Sequence, residues 1–318
     1  MPSSRFTARG WVLFAIMSVV WGVTYLLIRE SVHSFSPPAV VAIRTLGAAL
    51  VLLPFALKQD ALRPALRKWR WVLAFGLVEM AGPFLLLAHA EQSIPSGLTG
   101  LLVATVPLFA TLIGLARGER GALRPMRAIG LALGFAGVAI VALSGAAGPE
   151  PNAFAIGEVL LVAVLYATAP FIVARHLPDV PSLGVITLSL GVIGIAYVPA
   201  AILTTHEPPT GRSIAAIALL TVVCTALAFI AFFALIAEVG PVRAPLFTYV
   251  NPVVAVALGV LLVGEPLTVG LLIGFPVVLL GCLLAAGGLP GRVKAVPDAV
   301  VSEEPDPLVG GRPAQRRG

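Results

Sequence analysis

Charge is scarce in this sequence. Only 11% of its 318 residues are Asp, Glu, Lys or Arg, against 58% that are apolar. A water-soluble domain carries about a quarter charged residues, so too little polar surface is left here to cover a globule in water. Cysteine is nearly absent: the only two, Cys224 and Cys282, fall inside apolar runs. That argues against a disulfide framework and for buried, inert thiols. Aspartate is missing where an intramembrane enzyme would need it. Asp60, Asp179, Asp298 and Asp306 all lie between or beyond the apolar runs, and the four histidines are scattered over loops and run ends. No paired aspartates, zinc constellation or Ser-His pair at a shared depth can be assembled from these positions. The sequence therefore predicts no enzyme, no metal and no cofactor. Rings of charge, which a channel would use, are missing as well.

What the chain has in quantity is apolar length. Ten runs, at 11–28, 39–57, 71–90, 97–116, 127–146, 154–175, 183–204, 213–237, 242–263 and 268–289, match the roughly 20 residues that span a bilayer. The expected fold class is an all-α polytopic membrane protein with ten transmembrane helices, partnered by the lipid bilayer. The first run is too long for a signal-peptide core and lacks a small-residue cleavage site, so it reads as a retained helix. Residues 1–10 form a cytoplasmic N-terminus in this reading. Residues 290–318, with scattered prolines, mixed charges and no apolar period, form a disordered cytoplasmic tail.

A net charge of +6 could suggest nucleic acid, but the basic residues sit between the apolar runs. Of 21 Lys and Arg, Arg44 falls within a run, and only Arg29 and Arg212 lie on the side away from the N-terminus. Cationic loops resist translocation, so both termini are expected in the cytoplasm. That requires an even number of spans, as ten provides.

The chain also repeats itself. "LLVATVPLFATLIGLARGE" (101–119) and "FTYVNPVVAVALGVLLVGE" (247–265) each hold a proline, Pro107 or Pro252, ahead of a terminal Gly-Glu. Gly130 and Gly137 are spaced like Gly274 and Gly281. These echoes divide the ten runs into two units of five, 11–146 and 154–289. Five is odd, so the second unit is inverted in the membrane. Inverted repeats of this kind are a signature of secondary transporters, which bind substrate near the midplane where the repeats meet.

Four stretches carry a family resemblance: "WGVTYLLIR" (21–29), "SPPAVVAIR" (36–44), "GPFLLLAHAEQSIPSGLTGLLVATVPLFATLIGLARGE" (82–119) and "YVNPVVAVALGVLLVGEPLTVGLLIG" (249–274). Across about residues 10–290 the chain resembles the EamA-type transporters of the drug/metabolite transporter superfamily. The resemblance implies ten helices and an inverted five-helix repeat. It also implies a central cavity lined by helices 1, 3, 4, 6, 8 and 9, and amino acids, metabolites or toxic compounds as cargo. The halves have diverged: helix six lacks the Trp-Gly of helix one, and helix seven has no counterpart of Arg44.

Candidate site residues follow from polarity at depth. Glu79 lies near mid-bilayer in helix three, where a charge costs on the order of 3 kcal/mol. It can carry a coupling proton, or lock helix three to a neighbour. Arg44 either snorkels to the interface or turns inward to pair with Glu79 or an anionic substrate group. His89, with Glu91 and Glu158 at the same level, could sense protons, although solvated helix ends are the plainer expectation. Trp21, Thr24 and Tyr25 share a face of helix one, with Tyr166 their nearest echo in helix six. Pro107 and Pro252 each free a carbonyl that must be satisfied or face a cavity, and Thr105 and Asn251 stand beside them. Tyr249, Thr99 and Thr225 are further polar lining. The Gly130/Gly134/Gly137 and Gly270/Gly274/Gly281 stripes predict close helix packing, and the helix-ten stripe offers a face for a homodimer. Glu119 and Glu265 read as caps or loop anchors. The expected function is a secondary transporter of a small molecule in the cell membrane, working by proton-coupled export. An uncoupled facilitator or an importer is the alternative.

Overall fold

A computed structural model describes residues 7–118, 125–144, 152–205, 208–240 and 244–286. The expected tail at 290–318 and Glu119 lie outside them. Among the described residues the chain is helical throughout, with ten apolar segments close to the expected ones. They are α1 (Ala8–Val32), α2 (Pro37–Lys58), α3 (Trp69–Ala90), α4 (Ser96–Ala116), α5 (Pro125–Leu143), α6 (Ala153–His176), α7 (Ser182–Thr204), α8 (Gly211–Val239), α9 (Ala244–Val263) and α10 (Val269–Ala285). A short helix, Leu62–Arg67, joins α2 to α3. The helix starts are written locally. Thr7, Ser36, Asn152, Thr210 and Thr268 each accept a hydrogen bond from a first-turn amide, which satisfies a donor that the helix itself cannot.

The bundle has a centre and two flanks. In the centre, α1 packs on α8 and α9, while α6 packs on α3 and α4. On the flanks, α2 lies along α7 and α5 along α10. Replacing each helix by the one five places away in the chain reproduces the same set of pairs. The helices α5 and α10 meet backbone to backbone. A Cβ on Gly130 would stand 2.3 Å from the Ala285 nitrogen, and one on Gly281 would stand 2.3 Å from the Gly134 nitrogen. The helix-ten glycine stripe thus packs on α5 of the same chain, the close helix packing that both stripes predict.

Four central helices depart from α geometry, in matched pairs. Residues Leu77–Ala81 of α3 and Val222–Leu227 of α8 are wound as π-helix. Such bulges cluster at functional sites in helices. The other pair is α4 and α9. The α4 helix stops at Val103 and resumes at Val106, and α9 begins as a 3₁₀ turn, Ala244–Tyr249, and becomes α-helical only at Asn251. Pro107 and Pro252 therefore open the second segment of each helix and do not kink a continuous one. In that first turn the missing amide proton costs nothing.

Candidate functional site

The breaks and bulges expose backbone groups inside the bundle, and neighbouring side chains satisfy them. Leu108 bonds to Thr105 O at 2.8 Å, leaving Ala104 O free; the Cys282 thiol donates to it at 3.2 Å. Thr105, fully buried, donates to Leu102 O at 2.6 Å. In the π stretch of α8, Cys224 O accepts the Trp21 indole N–H at 3.2 Å. Asn251, its amide oriented by its partners, donates to Phe247 O and Ser18 O, both at 3.1 Å. Trp21 and Asn251 thus tie α1 to α8 and α9. The Trp21 ring packs among Phe229, Phe232 and Phe247, with centroids 5.2–6.0 Å away.

Arg44 stands at the centre of the polar cluster. It does not snorkel: only 6% of it is exposed. Its Nε donates to Thr225 Oγ1 at 2.9 Å, and its guanidinium lies 3.8 Å from the Phe84 ring centroid. The Thr225 hydroxyl donates onward to Leu220 O at 2.8 Å, five residues back, the spacing that the π stretch creates. Tyr25 of α1 and Tyr166 of α6 both lie within electrostatic reach of Arg44. Five helices, α1, α2, α3, α6 and α8, therefore converge on one guanidinium.

Glu79 sits inside the π stretch of α3 and is partly exposed. The expected Arg44–Glu79 ion pair is not formed among the described residues. Arg44 is committed to Thr225 and Phe84 instead, and Tyr166 lies within electrostatic reach of both charges. Thr24 is buried, donating to Val20 O at 3.1 Å and lying beside Cys224. Tyr249 ends the 3₁₀ turn, close to Cys282.

The end of the bundle away from the N-terminus is fastened by ion pairs. Arg29 of α1 pairs with Glu265, which follows α9. Glu265 also accepts from Ser96 N and Oγ, both at 2.8 Å, and from Gly97 N at 3.1 Å. It thereby caps α4 with a carboxylate, as a helix N-terminus favours. Arg212 pairs with Glu30 at 2.6 Å, and His89 Nδ1 meets Glu158 at 2.9 Å. Glu91 and Glu158 are buried, not solvated as their positions at helix ends suggested. The His89 side chain is half exposed.

At the N-terminal end, Lys68 donates to His176 O at 3.1 Å, and Trp71 stacks on the His176 ring with centroids 3.4 Å apart. A basic surface cleft surrounds them, lined by Arg67, Arg70 and Arg175. No local pattern marks the Trp71–His176 contact, because it joins two helix ends far apart in the chain.

The EamA-like transporter family model matches residues 8–143 and again residues 153–287. The uncharacterized inner membrane transporter YedA of Escherichia coli K12 is 31% identical, over 80% of this chain and 83% of its own length. The uncharacterized transporter YvbV of Bacillus subtilis strain 168 is 27% identical, over 83% of this chain and 87% of that protein. One solved crystal structure superposes with a TM-score of 0.60 at 20% identity, covering 87% of this chain and 96% of the other. That last likeness speaks for the fold alone.

Proposed function

The chain belongs to the EamA-like transporter family, and from that premise we propose that it is a proton-coupled exporter of a small metabolite working by alternating access. It is a multi-pass transporter of the plasma membrane, with a small-molecule substrate and lipid around it. In the proposed cycle residues 8–143 and 153–287 act as inverted repeats that rock about the centre, with both termini in the cytoplasm. Support for the inversion comes from the matched helix pairs and the paired departures from α geometry.

The carrying observation is the cluster around Arg44. Its Nε is held by Thr225, while the terminal nitrogens meet no hydrogen-bond partner among the described residues. A guanidinium so placed can bind the carboxylate of an amino acid or another small acid. Tyr25 and Tyr166 flank it, and Glu79 lies beyond Tyr166 as the group that takes up and releases the coupling proton. A carboxyl at such depth is functional by default.

The test is transport in proteoliposomes, screening labelled amino acids with and without an imposed pH gradient. Wild type should accumulate a substrate only with the gradient. Glu79→Gln should exchange it without accumulating it. Gradient-independent equilibration in both proteins would instead support a facilitator and leave Glu79 a structural group.

A further inference from the structure

Glu91 ends α3 on the face opposite the N-terminus, 3% exposed, with neither carboxyl oxygen hydrogen-bonded. The groups facing it are few. Arg29 and Tyr25 come from α1, Thr99 from α4, and Glu265 from the segment after α9. On α6, Glu158 is engaged by His89. This pocket holds two carboxyls and one cation, and Arg29 is already paired with Glu265. The nearby donors are committed as well: the Ser96 and Gly97 amides and the Ser96 hydroxyl all go to Glu265. The Thr99 hydroxyl goes to Pro95 O at 3.3 Å. An ionised carboxylate buried without a cation or a donor costs several kcal/mol. Charge balance therefore leaves Glu91 neutral while this closure is in place. Burial pushes its carboxyl well above the usual range, and the Glu265 charge adds to that; Arg29 opposes, as would the Thr99 hydroxyl if it turned from Pro95 O to the carboxyl.

We infer that Glu91 is a second proton-binding site, and that its proton fastens this face of the transporter. When the proton leaves, Glu91 becomes a carboxylate beside Arg29 and competes with Glu265 for it. Glu265 then loses its cation, its hold on the start of α4 weakens, and the face opens. Loading Glu91 from the aqueous side closes the face again. The inference rests on the transporter reading only in requiring that this face open, and it places a titrating group at the latch in addition to Glu79 at the centre.

The test needs no substrate. Thr99→Cys places a thiol behind the latch, where the native side chain is fully buried. Its labelling by a membrane-impermeant maleimide is followed in proteoliposomes between about pH 5 and about pH 8. Rates are divided by those of Pro208→Cys, an exposed reference site on the same face, to remove the intrinsic pH dependence of thiols. With Glu91 present, relative labelling should rise at least about tenfold with pH, since one unit of pKa shift moves an equilibrium tenfold. Glu91→Gln should hold labelling low and flat. Glu91→Asp should keep the rise but move its midpoint, which preserves the test if the Gln variant does not fold. Labelling that ignores pH, or a rise that survives unchanged in both variants, overturns the inference. Labelling that responds as expected in a protein whose transport is uncoupled from the gradient would sink only the role given to Glu79. Coupled transport with indifferent labelling would sink only the role given to Glu91.

Discussion

Arg44 and Thr225 meet across the centre of the bundle, Nε to hydroxyl at 2.9 Å, and no carboxylate shares the contact among the described residues. The π stretch in α8 makes the meeting possible, because it lets Thr225 both receive Arg44 and donate to Leu220 O. Thr225→Val keeps the side-chain shape and removes the acceptor. A hydrogen bond to a charged group is worth about 1.5–3 kcal/mol in water-soluble proteins, and interhelical bonds in membranes average less. The expected loss is about 1–2 kcal/mol, read from unfolding in mixed micelles. An unchanged unfolding curve would mean that the contact carries no energy.

The latch at Glu265 predicts an asymmetric response to charge reversal. Glu265→Gln should destabilise by about 2–3 kcal/mol, less than the 3–5 of a fully buried pair, because the Arg29 side chain keeps 28% exposure. The double reversal Arg29→Glu with Glu265→Arg should not rescue it. Three donors on Ser96 and Gly97 point at residue 265, and a cation there would face all of them. Stability restored by the double variant would show that the ion pair alone matters.

The glycines of this chain are not equivalent to one another. Gly281→Leu places carbon where the Gly134 backbone already stands, so the two helices must separate and the folded yield should collapse. Gly157→Ala, with nothing within 4 Å of the added Cβ, should instead gain about 0.5–1 kcal/mol from lost backbone freedom. Paired measurements of detergent-solubilised monomer yield and melting temperature check both signs.

Stability should depend on pH through Glu91. An acid held above its ordinary value by the fold binds more protons when folded than when unfolded. The fold is then most stable at low pH. Stability falls as pH climbs from the unfolded carboxylate value, about 4.3, through the raised value of Glu91, and levels off above it. Melting curves across that window should slope downward for wild type and flatten for Glu91→Gln. A slope of the same size in both would assign the effect to other groups.

Much of the helical layout was legible, for physical reasons. Apolar length alone marks α1 to α10, because a span must match the bilayer whatever its neighbours are. The breaks in α4 and α9 were signalled by Pro107 and Pro252, although the sequence suggested a carbonyl freed within each helix where the helices in fact restart. Tertiary partners were not legible. Arg44 could as well have reached the interface; its inward course depends on Thr225, which lies far along the chain in a helix whose π winding has no local signature. Glu91 looked like a solvated helix end because Glu265, its charged neighbour, arrives from the other half of the molecule.

The π stretches in α3 and α8 carry one further consequence. Each absorbs a surplus residue, which turns everything on one side of it by about 100° relative to a regular helix. Deleting a single residue within 77–81 would remove that surplus and let α3 wind evenly, with the Trp69–Gly76 face left against its present neighbours. Point substitutions leave that phase intact. These two helices should therefore tolerate many changes of side chain and the loss of one residue inside the π stretch, but not a loss elsewhere along the helix, where no surplus takes up the turn.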